Sequence, residues 1–181
     1  MGLVRRVLIV GAPGVGKSTT ARAVATRLGI SYVELDALFH GPDWTARPTF
    51  RDDVAAVIAT EAWVIDGNYT DVRDMLWEAA DTVVWLDLPR WLTEWQVVVR
   101  TVRRLLTRTT LWNGNREQWR SVGRPSHPIR WSWHVHGRYR IQYAARFANP
   151  AFAAKTLPRL RSRREIRAWT DQLDARAAPP P

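Results

Sequence analysis

Apolar and polar positions along the chain follow two periods. Residues 7–10 form a short unbroken apolar run that stops at glycine, which reads as a strand buried on both faces. From Lys17 to Leu28, the residues Ala21, Val24, Ala25 and Leu28 recur at i, i+3, i+4 and i+7, the apolar face of a helix, and Gly29 supplies its stop. Residues 30–35 read as a second strand, and residues 37–48, with Gly41-Pro42 and Pro48, as a loop. Thr49 and Asp52 have a loose capping-box spacing ahead of a helix whose face carries Phe50, Val54, Val57 and Ile58. Trp63-Val64-Ile65 and Thr82–Leu86 read as strands three and four. A long helix over Arg90–Thr107 is expected to bury Trp91, Trp95, Val98, Val102 and Leu105. Residues 108–137 break the pattern with Asn113-Gly114-Asn115, Gly123, Pro125, Pro128 and four tryptophans. Regular structure is expected to resume near Arg138, with a last strand near 156–160 and a helix over 162–173. Strands alternating with helices predict an α/β fold, a parallel sheet covered on both faces.

A chain of 181 residues suits one domain with its own core, here expected over residues 1–174, followed by a disordered tail at 175–181. Apolar residues at 46% and charged residues at 24% describe a globular chain. No apolar run approaches the ~20 residues of a membrane span. The first residues lack the long apolar core of a signal peptide, so the expected location is cytoplasmic. Without cysteine there is no disulfide, thiolate metal site or cysteine nucleophile.

Charge divides the chain. Residues 1–99 carry a net charge of −4 and residues 100–181 a net charge of +14. The second half therefore expects an anion: nucleotide phosphates, a phosphorylated substrate or nucleic acid. Twenty-five of the 27 basic residues are arginine, which suits bidentate phosphate contacts, although a GC-rich coding sequence also favours arginine.

Gly11-Ala12-Pro13-Gly14-Val15-Gly16-Lys17-Ser18 matches G-x-x-x-x-G-K-[ST] at every position and lies between a strand and a helix start. The glycines allow close wrapping, so that backbone N–H groups point at phosphate oxygens and the helix N-terminus adds partial positive charge. The candidate nucleotide-binding residues are Gly11, Gly14, Val15, Gly16, Lys17, Ser18 and Thr19. Lys17 is expected at the β- and γ-phosphates, Ser18 on Mg²⁺ and Thr19 near the α-phosphate.

This loop resembles a family together with three further segments: Tyr32-Val33-Glu34-Leu35-Asp36-Ala37-Leu38-Phe39, Trp63-Val64-Ile65-Asp66-Gly67-Asn68-Tyr69 and Asp81-Thr82-Val83-Val84-Trp85-Leu86-Asp87-Leu88-Pro89-Arg90. They look like adenylate-kinase-related P-loop proteins, closest to the DNA topology modulation protein (FlaR-related) group. The resemblance spans most of residues 5–172 and is weakest over 108–137. It implies a five-stranded parallel sheet in the order 2-3-1-4-5, with residues 108–137 as an inserted lid, as in nucleoside monophosphate kinases. It also implies ATP and Mg²⁺ as cofactors and transfer of a phosphoryl group to a small-molecule or nucleotide acceptor.

Asp36 lies 19 residues after Lys17, where ligands bind outside the carboxyl ends of the strands. In shikimate and gluconate kinases a carboxylate at similar spacing holds the acceptor hydroxyl, which gives Asp36 that candidate role and that of a base; the alternative is a loop or capping aspartate. Asp66-Gly67 resembles the Asp-Gly of nucleoside monophosphate kinases, where the aspartate supports Mg²⁺. Asp87 also ends an apolar run and competes for this role. The family pattern continues with Phe-Pro-Arg, whereas this chain has Asn68-Tyr69-Thr70, which argues against a nucleoside monophosphate acceptor.

Arg100, Arg103 and Arg104 share one helix face, and Arg138 and Arg140 fall where arginines return from the lid in related kinases. Arg100, Arg104 and Arg138 are thus candidate clamps on the transferring phosphoryl group, or else a solvated basic face. In the insertion, Trp112, Trp119, Trp131 and Trp133 alternate with Arg108, Arg116, Arg120, Arg124 and Arg130, a pattern that fits base stacking or packing onto the body. His127, His134 and His136 lack the partners of a metal set. Trp44, Arg47 and Arg51 are candidates for the acceptor pocket, and Arg161-Ser162-Arg163 resembles the loop beside the adenine base. The competing function is a nucleotide-responsive nucleic-acid-binding protein with slow hydrolysis. No Asn-Lys-x-Asp guanine signature is present. The assembly is expected to be a monomer or homodimer.

Overall fold

The computed structural model describes residues 4–115 and 128–173. Five strands, β1 (Arg6–Gly11), β2 (Tyr32–Glu34), β3 (Trp63–Asp66), β4 (Thr82–Leu86) and β5 (Arg159–Leu160), form one sheet in the order β2-β3-β1-β4-β5. Every pairing is parallel, with Val7 opposite both Val64 and Thr82 and Ile9 opposite Asp66 and Val84. The helices are α1 (Lys17–Leu28), α2 (Leu35–Phe39), α3 (Phe50–Ile58), α4 (Thr70–Ala79), α5 (Arg90–Thr107), α6 (Pro128–Phe147) and α7 (Arg163–Asp171). The α/β architecture and strand order agree with the expectation from sequence.

Strand period two divides the core. Val7, Ile9, Val64, Val84 and Leu86 face α1 and α7, packing on Ala21, Val24, Leu28 and Trp169. Leu8, Val10, Trp63, Ile65, Val83 and Trp85 face the other way, against Val54, Leu76, Trp77 and Tyr143. Both faces are apolar, which is why β1, β3 and β4 read as unbroken hydrophobic runs. Asp81 fixes the start of β1, its Oδ2 accepting from the Arg5 and Arg6 amides at 2.9 and 2.7 Å.

Several local readings are corrected. The second strand is three residues long, and Leu35 already opens α2, so Asp36 sits in a first helical turn instead of a strand end. Part of the expected 37–48 loop is thus helix, and Pro42–Trp44 adds a 3₁₀ turn. Thr49 does not cap α3 with its side chain, because its backbone is already helical (φ −81°, ψ −1°) and its hydroxyl turns to Asp53 at 3.0 Å. A side-chain cap forms instead at α7, where Ser162 Oγ accepts from the Glu165 amide and the Glu165 carboxylate accepts from the amide of Arg161, one residue before the cap. Helix α4 has no counterpart in the sequence reading. Helix α6 starts at Pro128, ten residues before the expected resumption at Arg138.

The buried face of α5 is Thr93, Val97, Thr101 and Leu105, not the expected tryptophan face. Trp91 and Trp95 are 72% and 63% exposed, and Val102 is exposed as well. The cause is the phosphate loop. A Cβ on Gly14 would lie 2.4 Å from Val97 Cγ2 and 2.5 Å from the Thr93 carbonyl, so the loop accepts only small β-branched side chains beneath it. No helix among the described residues is long and apolar enough to cross a membrane. The expected tail at 175–181, and Arg116, Trp119, Arg120, Arg124 and His127 of the insertion, lie outside the described residues.

Candidate active site

The G-x-x-x-x-G-K-S segment leaves the end of β1 and turns directly into α1, whose N-cap is Gly16 at φ 95°. Lys17 folds back over its own loop: Nζ donates to the Gly11 and Ala12 carbonyls, each at 3.1 Å. Burial depresses the Lys17 pKa; the carboxylates of Asp66, Asp36 and Glu34 oppose that shift and Arg100 reinforces it. Lys17, Asp36, Asp66 and Arg100 therefore share one electrostatic neighbourhood, although they come from α1, α2, β3 and α5.

Ser18 stands between two carboxylates, and its single hydroxyl proton is shared between Asp66 Oδ2 at 2.9 Å and Glu34 Oε1 at 3.2 Å. Tyr32 donates to the other Asp66 oxygen at 2.8 Å. Burial raises the Asp66 pKa, against the pull of Lys17 and the two hydroxyl donors. The set is of hard oxygens beside a phosphate loop, which fits Mg²⁺ held by one or two carboxylates together with nucleotide phosphates. Ser18, Asp66 and Glu34 would hold the ion. Asp87 is the weaker candidate, because guanidinium groups already cover it. Arg159 donates twice to its Oδ2 at 2.9 and 2.6 Å, and Arg140 Nε lies 3.2 Å from its Oδ1. Among the described residues no separate cluster of three His, Asp or Glu side chains could hold a metal.

On the other side of Lys17, Tyr69 donates to Asp36 Oδ1 at 2.7 Å. The Tyr69 oxygen is also 3.4 Å from His40 Nε2. Burial, then the Asp36 charge, pushes the Tyr69 pKa far up, so the phenol stays a donor. His40 stacks on Trp112 at 5.8 Å and meets Trp44 edge-on at 5.2 Å. Buried Asn115 clasps the two loops that carry these rings, donating to the Gly41 carbonyl at 2.8 Å and accepting from the Trp44 amide at 3.1 Å. Asn113 adds a short bond to the His40 carbonyl. Of the other pocket candidates, Arg47 is paired with Asp53 at 3.0 Å and Arg51 donates to the Asp71 carbonyl at 2.8 Å.

The candidate arginines lie on two helices, α5 and α6. Arg104 is half-buried and lies 5.9 Å over the Trp112 ring. Arg100 and Arg103 are exposed on α5, and Arg100 reaches Lys17 electrostatically. Arg138 is exposed on α6, and its charge is felt at Tyr139. Trp133 of the insertion is exposed, with the Arg90 guanidinium over its ring, 3.6 Å from the ring centre. His134 is exposed and His136 buried on α6. Arg161 and Arg163 are exposed on either side of the α7 cap.

Glu34, Tyr32, Asn68, Tyr69 and Tyr143 did not emerge from the sequence as site residues. The signal for two of them was present: Asn68-Tyr69 is where the chain departs from the related kinases. Asn68 Nδ2 donates to the Gly11 carbonyl at 2.6 Å, and Tyr143 donates to Asn68 Oδ1. Three side chains at and just after the end of β3 therefore reach three parts of the site: Asp66 to Ser18, Asn68 to Gly11 and Tyr69 to Asp36.

Residues 7–87 match the family described as ATPase family associated with various cellular activities (AAA). A search of curated proteins found no match. Among solved structures, shikimate kinase from Bacteroides thetaiotaomicron is similar, with 14% identity, a TM-score of 0.55 and coverage of 93% of this chain and 96% of that one. A gluconokinase from Sinorhizobium meliloti 1021 shows 17% identity and a TM-score of 0.52, with 97% of both chains covered. A kinase described as putative in its source, from Chloroflexus aurantiacus, shows 14% identity and a TM-score of 0.54, with 97% and 94% covered. At these identities the likeness is one of fold: a five-stranded parallel P-loop fold shared with small-molecule kinases.

Proposed function

We propose that the chain is an ATP-dependent, Mg²⁺-assisted phosphotransferase that moves the γ-phosphoryl group to a hydroxyl of a small molecule. The observation that carries this reading is the hydrogen bond from Tyr69 to Asp36 Oδ1. It fixes a carboxylate beside Lys17 and leaves Oδ2 for an incoming hydroxyl. Lys17 and Ser18 bind the nucleotide phosphates, and the loop N–H groups hold the triphosphate. Mg²⁺, when bound at Ser18, Asp66 and Glu34, supplies charge neutralisation for the triphosphate. The acceptor oxygen bonds to Pγ as the bond from Pγ to the β,γ-bridging oxygen breaks. The leaving electron pair stays on ADP, and the acceptor proton passes to Asp36 Oδ2. Arg100 and Arg104 are the nearer candidates to offset charge on the equatorial oxygens, with Arg138 behind them.

Charge favours a hydroxyl over a phosphate acceptor. The wall around Asp36 also carries Glu34, the neutral phenol of Tyr69, and His40, whose pKa burial lowers. The nearby Arg47 and Arg51 are already engaged. A dianionic acceptor there would meet the carboxylates of Asp36 and Glu34, while Lys17, Arg100 and Arg104 serve the transferring phosphoryl group. The test is Mg²⁺-ATP turnover against nucleosides, sugars, polyols, hydroxy acids and nucleoside monophosphates, with Lys17→Ala as control. Stimulation by a neutral hydroxyl compound, lost in the control, supports the reading. Stimulation confined to nucleoside monophosphates contradicts the acceptor, and no stimulation by any class contradicts the transferase.

A further inference from the structure

Gly11 ends β1 beyond the reach of the strand ladder on one side, since β3 stops with Asp66 opposite Ile9. Its carbonyl nonetheless has two donors: Lys17 Nζ at 3.1 Å and Asn68 Nδ2 at 2.6 Å. The second carbonyl under Lys17, that of Ala12, likewise has a second donor, the Val15 amide at 3.3 Å. A backbone carbonyl can only accept, so the Asn68 nitrogen must face it, and Asn68 Oδ1 is left to take the Tyr143 hydroxyl. Tyr143 is 1% exposed on α6, so the amide is held from behind by a packed ring.

Lys17 cannot serve these carbonyls and nucleotide phosphates at once. When its ammonium turns outward, a carbonyl left without a donor in a partly buried loop would carry an uncompensated desolvation cost. From this geometry we infer that Asn68 is a positioning residue for the phosphate loop: it keeps the Gly11 carbonyl satisfied when Lys17 leaves it, and Tyr143 holds Asn68 in the donating orientation. The inference rests on the nucleotide-binding part of the proposed function and is independent of the acceptor. It explains why this chain carries an amide directly after Asp66-Gly67. An apolar side chain there would leave loop release and nucleotide binding opposed.

The distinguishing consequence is an asymmetry. In the nucleotide-free protein, Asn68→Ala leaves Lys17 still covering Gly11; in the bound protein it leaves nothing there. The substitution should therefore weaken Mg²⁺-ATP binding by roughly tenfold while moving the melting temperature of the free protein little. In a Lys17→Ala background the carbonyl has the same donors in both states, so Asn68→Ala should then change affinity by less than about twofold. Tyr143→Phe, which keeps the packed ring, is the second variant and should weaken binding about threefold in the Lys17 protein.

The experiment measures the Kd of a fluorescent ATP analogue with Mg²⁺ for the four proteins of the Lys17/Asn68 cycle and for Tyr143→Phe, with thermal melts of each. A loss present with Lys17 and absent without it supports the inference. Equal affinity of Asn68→Ala and the parent protein overturns it, as does the same loss in both backgrounds. Should Asn68→Ala not fold, an unchanged affinity in Tyr143→Phe overturns it. Nucleotide binding with the predicted cycle but no acceptor-stimulated turnover leaves the inference standing while the transferase reading falls. A parent protein that binds no nucleotide overturns both.

Discussion

On the phosphate side of the site, eight consecutive residues from Gly11 to Ser18 supply the loop, the ammonium and the hydroxyl. On the proposed acceptor side, Asp36, His40, Trp44, Tyr69, Trp112 and Asn115 come from three separate stretches of chain and meet through single hydrogen bonds and ring contacts. Tyr69 reaches Asp36 across 33 residues, and Asn115 reaches Gly41 across 74. The phosphate side is a local structure whose chemistry is common to every triphosphate. The acceptor side is a tertiary structure, so its chemistry is set by how the loops of one particular chain meet. A site divided in this way can keep one donor and change acceptors by altering the loops alone.

The two halves should fail differently when broken. The largest effect is expected from Lys17→Ala, which removes the phosphate-side cation: roughly 10³-fold lower turnover, together with weaker ATP binding, read by steady-state kinetics and direct titration. Asp36→Asn should lower kcat about 10²-fold with the KM for ATP within about threefold, because an amide of the same shape can still accept from Tyr69 but cannot take the acceptor proton. Full turnover in that variant would remove Asp36 from the chemistry. Arg104→Ala should lower kcat about tenfold if the guanidinium offsets transferring charge, whereas a merely solvated arginine would leave it within twofold. Asn115→Ala unclasps the acceptor loops and should destabilise the protein by about 1–3 kcal/mol in urea titrations, raising the acceptor KM more than that of ATP.

The smallest expected effect is a pH dependence on the acceptor side. Burial holds His40 below its ordinary value of 6.5, although Asp36 and the Trp44 backbone pull it upward. The unfolded chain takes up a proton as the pH falls through about 6.5, before the folded chain does, so the stability is present above that pH and declines below it. His40→Phe should show a shallower decline in urea midpoint between pH 7 and pH 5 than the parent protein.

The same division explains what could be read from the sequence. The phosphate-loop segment and the buried strands rest on a contiguous motif and apolar runs, and they were legible; the strand order followed from the resemblance to a known family. Glu34 and Asn115 act through partners far away in the chain, and nothing local marks such a residue. Helix α5 shows how a local rule is overridden. Its tryptophans have the periodicity of a core face, but Gly14 brings the phosphate loop so close to Thr93 and Val97 that their face is the buried one. Asp87 shows the converse: it has the position of a metal ligand, and only the packing of Arg140 and Arg159 against it reveals its ion pairs.

The most direct test of the central claim is ³¹P NMR of the protein with Mg²⁺-ATP and the acceptor that best stimulates turnover. The account predicts a new phosphomonoester resonance that grows in step with ADP and is lost with Asp36→Asn. A new phosphoanhydride resonance, or inorganic phosphate as the sole second product, would contradict it.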